Sequence, residues 1–169
     1  GFLTGWLYWL PHQVARETRN DWVTIQKKYD AYPKVKIEQH EIKYDIRGEK
    51  ILARSVISVR NSNLFRVDSV IFYLNPSLEV TGVTAGSHNV NFTRNQQIVV
   101  IEKSLHPDER CELDLSYSGA IDPRICYLDI SPERYDEQEQ DELFACYGKK
   151  FVFTGKAFTL LTTEVLWYP

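Results

Sequence analysis

The chain has 169 residues, 43% of them hydrophobic and 25% charged, which suits a single globular domain, or one with a helical attachment, that can bury a real core. Its net charge of −3 supplies no clustered cations for neutralising phosphates, so nucleic acid is not expected as a partner. Aromatic residues are plentiful, with 10 Tyr, 8 Phe and 4 Trp, and such residues favour sheet faces and interfaces.

There is no methionine, so we expect a fragment or a processed product, and Gly1 is set aside as a cloning remnant. Residues 2–10 are strongly apolar but end at Pro11, too short for a bilayer crossing of ~20 residues. Trp6, Tyr8 and Trp9 suit a membrane–water interface. The segment reads either as juxtamembrane or as an N-terminal strand packed on the domain.

Across residues 14–32 the periodicity is helical. Val14, Thr18, Trp22, Ile25 and Tyr29 fall on one face, with Arg16, Glu17, Arg19, Asn20, Gln26 and Lys27 on the other sides. Pro33 ends the segment by pushing Tyr32 out of the helical region. A stripe this narrow needs a surface to pack on, and the sheet is the expected one.

A β series follows. Val35 and Ile37 lead a strand whose apolar positions change parity to Ile42, Tyr44 and Ile46, which implies a bulge near Gln39-His40. Arg47-Gly48-Glu49 reads as a hairpin turn into a strand over 51–60, where Ile51, Ala53, Ile57 and Val59 share a face with Ser55. Further strands are expected at 67–74, ending in the Asn75-Pro76-Ser77 turn, and at 78–84, followed by a loop over 85–89. Residues 90–93 and 97–102 read as a hairpin pair around Arg94-Asn95. The clearest strand covers 110–117. Cys111, Leu113, Leu115 and Tyr117 point one way, Arg110, Glu112, Asp114 and Ser116 the other, and Gly119 is expected to stop it.

Residues 124–130 suggest a short strand through Ile125, Tyr127 and Leu128. An acidic loop over 131–142 holds Glu133, Asp136, Glu137, Glu139, Asp141 and Glu142 against one Arg134, and a solvated loop or short exposed helix is expected. A last hairpin spans 150–153 and 158–162. About nine strands with frequent turns make the expected fold all-β, an antiparallel sandwich or saddle-like curved sheet with one N-terminal amphipathic helix. The expected division is 1–33, a juxtamembrane-like segment and helix, and 34–169, the β-sandwich.

No catalytic, cofactor-binding or metal-ligating residue emerges. His40-Glu41-Ile42-Lys43-Tyr44 imitates a zinc-peptidase helix, but the second histidine is Tyr44 and the segment reads as strand. Positions four apart on a strand are ~13 Å apart, too far to share an ion. His12, His88 and His106 sit in separate contexts. The acidic run lacks the spacing and glycine of an EF-hand. No Gly-x-Ser-x-Gly elbow supports a serine nucleophile. Asn91-Phe92-Thr93 fits a glycosylation acceptor, a pattern short enough to arise by chance. Cys111 reads as a small core residue; Cys126 and Cys146 form a disulfide only in an oxidising compartment.

Several stretches together resemble the N-terminal β-domain of the gluzincin metallo-aminopeptidases, the aminopeptidase N relatives. They are Ile42-Lys43-Tyr44-Asp45-Ile46, Val56-Ile57-Ser58-Val59-Arg60-Asn61, and Phe72-Tyr73-Leu74-Asn75-Pro76-Ser77-Leu78-Glu79-Val80-Thr81-Gly82-Val83. The segment 105–119 is similar to another strand of that domain, with Asp108 at a glycine position. A closer likeness is to bacterial ABC-type permeases that carry this region. It rests on Gln26-Lys27-Lys28-Tyr29-Asp30-Ala31-Tyr32, on Ile125-Cys126-Tyr127-Leu128-Asp129 and on the end at Thr159-Leu160-Leu161-Thr162-Thr163-Glu164-Val165-Leu166-Trp167-Tyr168-Pro169. That family's zinc helix lies in a later domain, so no catalytic residue carries over. The resemblance implies a non-catalytic, extracytoplasmic β-domain at the periplasmic face of the inner membrane. It would pack on a downstream domain of the same polypeptide and be held by flanking membrane segments, with no cofactor and with any small-molecule ligand undefined. The alternative is a free-standing peptide- or glycan-binding sandwich using exposed aromatics and the 86–89 loop; an enzyme in its own right is the least favoured reading.

Overall fold

The computed structural model describes residues 18–122, 124, 125, 128, 152–154, 159–161 and 165–169. A helix, α1, covers residues 18–30. The strands are β1 (Lys36–Arg47), β2 (Lys50–Arg60), β3 (Val70–Tyr73), β4 (Leu78–Ala85), β5 (His88–Asn89), β6 (Phe92–Asn95), β7 (Ile98–Ile101), β8 (Arg110–Ala120), β9 (Val152–Thr154) and β10 (Thr159–Leu161). The apolar segment 2–10, His12, the acidic run, Cys126 and Cys146 lie outside the described residues.

Two antiparallel sheets face each other. The larger has the order β1-β2-β8-β4-β5 and the smaller β3-β7-β6; β9 and β10 form a separate hairpin, as the sequence led us to expect. The alternation that defined β8 places Leu113, Leu115 and Tyr117 in the core, against Ile51, Ala53, Ile57 and Val59 of β2 and Leu78 and Val83 of β4. Val70 and Phe72 of β3 and Val99 and Ile101 of β7 close this core from the other sheet. Ser55 is the one polar residue on the inner face of β2, and its hydroxyl pairs with the Tyr117 phenol at 3.1 Å. Burial pushes the Tyr117 pKa up to about 12, so the phenol stays a neutral partner.

The parity change in β1 is a bulge, with the register slipping between Ile37 and Gln39. Glu38 is the extra residue, so Ile37 ahead of it and His40, Ile42, Tyr44 and Ile46 after it all oppose inner-face residues of β2. The β1–β2 turn holds two residues, Gly48 and Glu49, between the paired Arg47 and Lys50. Gly48 takes φ 64°, the left-handed geometry such a hairpin needs at its first turn position.

Helix α1 lies on the far side of the small sheet. Trp22 and Val23 form a second apolar cluster with Ile125 and Leu128, while the buried Gln97 Nε2 donates to the Trp22 carbonyl at 2.6 Å. The Tyr73 hydroxyl donates to Asp30 at 2.9 Å, and Lys34 reaches the same carboxylate at 2.9 Å. The hydrogen bond from Lys34 holds the Asp30 carboxyl below its ordinary range.

Five expectations are corrected, the last of them at Gly119. Arg19 is buried and Gln26 half-buried, so the packed stripe of α1 is broader than the apolar spacing implied. The β6–β7 turn sits at Gln96-Gln97, two residues later than expected, because Arg94 stays on the strand and donates to the Leu74 and Asn75 carbonyls at 2.8 and 2.7 Å. The loop after β4 closes on itself: β5 pairs with β4 around Gly86, whose φ is 60°. Of the strand expected at 124–130, Arg124 and Leu128 lie in turns and Ile125 is buried irregular chain. There the Asp122 carboxylate accepts from the Arg124 backbone at 3.0 Å and from its guanidinium, and bends the chain away from the sheet.

β8 continues through Gly119 to Ala120, since Gly119 is paired with both Ile51 and Leu78. Its φ is 151°, and a methyl group there would fall on the Ser77 carbonyl oxygen. Gly119→Ala is therefore expected to cost roughly 2–3 kcal/mol in urea unfolding, from overpacking and backbone strain together. An unchanged midpoint would refute this close approach.

Candidate functional site

The sheets differ in width, and the difference creates the surface of interest. The inner positions of β2, Ile51, Ala53, Ser55, Ile57 and Val59, are all buried. On β1, one strand further out, none is: Ile37 and Tyr44 are 45% and 55% exposed, and His40, Ile42 and Ile46 are half-buried. The core face of the large sheet thus overhangs its smaller partner. Packing leaves this apolar strip only partly covered.

The cover comes from the C-terminal residues. Trp167 meets Tyr44 edge-on with centroids 5.4 Å apart, Tyr168 meets His40 at 5.6 Å, and the two rings touch each other at 4.9 Å. Their position traces to Asn75, a fully buried residue in the β3–β4 turn. Its side-chain amide donates to the carbonyls of Asp122 (2.9 Å) and Val165 (2.8 Å). Its side-chain oxygen accepts from the backbone of Ser77 (3.2 Å) and Asp122 (3.1 Å), and its own N–H donates to Leu166 O (2.7 Å). Arg94 caps the assembly through the Asn75 carbonyl, and burial lowers its pKa to about 10, leaving it a cation at neutral pH.

At the other end of β1 the strip meets a loop. Asn61, also fully buried, donates to the Phe65 and Leu105 carbonyls at 2.9 and 3.0 Å and accepts from the Asn63 backbone at 3.0 Å. Asn63 in turn donates to the Lys34 carbonyl at 3.0 Å. This lays the loop carrying Leu64 (97% exposed) and Phe65 (54%) beside the segment carrying Tyr32 (46%) and Ile37. Four large apolar side chains so exposed, on neighbouring segments, are what an interaction surface presents.

The outer face of the large sheet carries self-paired charges beside the exposed Leu52. Arg54 of β2 makes a two-pronged contact with Asp114 of β8 at 2.9 Å. Arg110 donates to the bulged Glu38 at 2.8 Å and holds its carboxyl below the usual range. Arg60 donates to Asp108 at 2.8 Å. Asp108 takes φ 63°, the left-handed conformation that favours glycine, just before β8. A shallow depression of about 370 Å³ is lined by Glu38, Gln39, Ser58, Arg110, Cys111 and Glu112. Burial raises the Cys111 thiol, which disfavours the nucleophilic thiolate.

The histidines weighed from sequence stay apart. His40 and His88 lie on opposite edge strands of the large sheet, and His106 sits in the turn before β8, its backbone N–H bonded to Glu109 at 2.8 Å. Glu41 pairs with Lys43 on the outer face, away from the His40 ring. Among the described residues, no group of three or more His, Cys, Asp or Glu could hold a metal ion. The 86–89 loop is a tight hairpin turn without Phe, Tyr or Trp. Asn61 and Asn75 were missed as organising residues from sequence, where they read only as strand-ending turn formers.

No protein-family model matches the sequence, and no curated protein does. Among solved structures, the M1 zinc metallopeptidase of Deinococcus radiodurans is similar, with a TM-score of 0.47 and 14% identity over 53% of this chain. A mutant of that enzyme bound to a Tyr-Ser-Ala substrate matches with the same TM-score of 0.47 and the same 14% identity. A two-domain M1 zinc metallopeptidase mutant bound to L-arginine matches at TM-score 0.47 and 15% identity. This chain spans about a fifth (21%) of the length of each of these structures.

Burial lowers the His40 pKa, because the half-buried ring loses hydration when charged. In the unfolded chain the imidazole titrates near its ordinary value of about 6.5 and binds its proton first. Stability should therefore fall as pH drops through that value toward the lower folded pKa. His40→Phe, which cannot protonate, should show a shallower loss of urea midpoint between pH 7 and 5 than the parent chain. Parallel curves would contradict the assignment.

Proposed function

We propose that this chain is a non-catalytic β-domain of a peptidase-like polypeptide, whose role is to present the overhanging face of β1 and the adjoining loop to a neighbouring domain. The observation that carries the reading is the exposed apolar group Tyr32, Ile37, Leu64 and Phe65, set on a rigid frame by Asn61 and Asn63. Inter-domain faces combine such apolar centres with polar rims, and here Lys34, whose carbonyl holds Asn63, stands beside the apolar group. The sequence likeness to the aminopeptidase N-terminal β-domain supports the same role, because that domain stands beside a catalytic one.

The finer reading follows the likeness to permease-borne forms. The domain would stand at the periplasmic face of the inner membrane, held by flanking membrane segments, and would shape the approach to a downstream domain rather than act on a substrate. Among the described residues no helix is long and apolar enough to cross a membrane.

The test substitutes the exposed group. Leu64→Ser with Phe65→Ser should leave the unfolding free energy in urea within about 0.5 kcal/mol of the parent, since surface positions contribute little to stability. The same pair should weaken binding of the downstream domain, supplied in trans, by at least about ten-fold, as loss of a central apolar anchor does. Unchanged binding by calorimetry, or a chain that no longer folds, would sink the reading.

A further inference from the structure

We propose that β1 is a self-complementary edge through which two copies of this chain join into one continuous sheet about a two-fold axis at Tyr44. Strand β1 is the outermost strand of the large sheet and runs for 12 residues. Among the described residues, its only backbone partner is β2. The two-residue turn fixes which groups are free. Arg47 and Lys50 close the hairpin, so the backbone N–H and C=O of Arg47, and of Asp45, Lys43 and Glu41 before it, point toward β2. Those of Ile46, Tyr44, Ile42 and His40 point outward and, among the described residues, meet no other strand.

Edge strands usually carry charges that discourage such pairing. Here the charges have an order that favours it. Along the outer face of β1 stand Glu41, Lys43, Asp45 and Arg47, alternating in sign. When a second β1 is laid antiparallel with Tyr44 opposite Tyr44, Lys43 meets Asp45 of the other copy and Glu41 meets its Arg47, each pair occurring twice. On the opposite face the same register sets Ile42 against Ile46 and the two exposed Tyr44 rings side by side.

Neighbouring registers fail. Centring on Lys43 opposes Lys43 to itself and Glu41 to Asp45. Centring on Ile42 keeps only the Lys43–Glu41 pairs, sets Asp45 against Gln39 and runs Arg47 into the bulge at Glu38, and centring on Ile46 drives each strand into the partner's turn at Gly48. Register is therefore specified by charge as well as by the pleat. Within one copy, Lys43 pairs with Glu41 at 3.0 Å and Arg47 with Asp45 at 2.7 Å, all four side chains more than half exposed. Such exposed pairs hold little energy, so exchanging them for partners across the axis costs little. Trp167 and Tyr168 lie against the rings of Tyr44 and His40 and make no backbone bond to the edge.

Sedimentation equilibrium of the full chain tests this directly. The parent chain should form dimers that dissociate on dilution. Lys43→Glu should raise the dissociation constant at least about ten-fold, because two attractive pairs become repulsive. Lys43→Glu combined with Asp45→Lys restores opposite charges across the axis and should return the constant to within about three-fold of the parent. These positions are exposed, and circular dichroism will confirm that both variants fold. A chain that stays monomeric at every concentration, a dimer indifferent to Lys43→Glu, or a double variant that fails to recover would overturn the proposal.

Discussion

One buried carboxamide holds together parts of the chain that are far apart in sequence. Asn75 accepts and donates through its side chain to Ser77, Asp122 and Val165 while its backbone holds Leu166 and receives Arg94. A buried amide with unmet partners would cost on the order of 1–3 kcal/mol for each lost group, so full satisfaction makes this arrangement far better than its neighbours. The consequence is positional. The β3–β4 turn, the exit from β8 and the C-terminal residues are pinned at one point, and Leu166 is held at a φ of 52° that a leucine rarely adopts.

That point decides how much of the overhang stays open. The two sheets share a dense core, but the larger extends one strand beyond the smaller, and an uncovered apolar face must find a cover. Trp167 and Tyr168 provide it near Tyr44 and His40, and nothing described provides it for Ile37, Leu64 and Phe65. Surface and edge thus divide the roles of β1. Its inner face offers a hydrophobic contact, while its outer edge offers backbone groups flanked by alternating charges. The remaining outer face of the sheet is occupied by its own ion pairs, Arg54 with Asp114 and Arg110 with Glu38, and contributes solvation.

Much of the sandwich was legible in the sequence because a strand with one dry face writes its orientation every second residue. The inward row of β8, the bulge that moves β1 from Ile37 to His40, and the Gly48 hairpin all follow from that rule. Asp108 at a left-handed φ was legible only through a likeness that put glycine there. What escaped depended on long-range partners. Arg94 looked like a turn residue until the carbonyls of Leu74 and Asn75 were seen to hold it on a strand. Arg19 looked like solvent-facing polarity, although the helix face it belongs to is packed. The candidate surface was invisible for a deeper reason. Ile42, Tyr44 and Ile46 carry the same pattern as the buried residues of β2, and only the order and width of the sheets make one row buried and the other open.

Hydrogen exchange, read by mass spectrometry on the parent chain and on Asn75→Ala, measures most directly whether one buried amide sets the position of the tail. In the parent chain the amides of Asn75 and Asp122, bonded as they are, should be protected well beyond free-peptide rates. In the variant, protection should be lost at 75 and at 122, while β2 and β8 keep theirs. Equal protection of these segments in the two proteins, or a uniform loss that spares none of the sheet, would contradict the account.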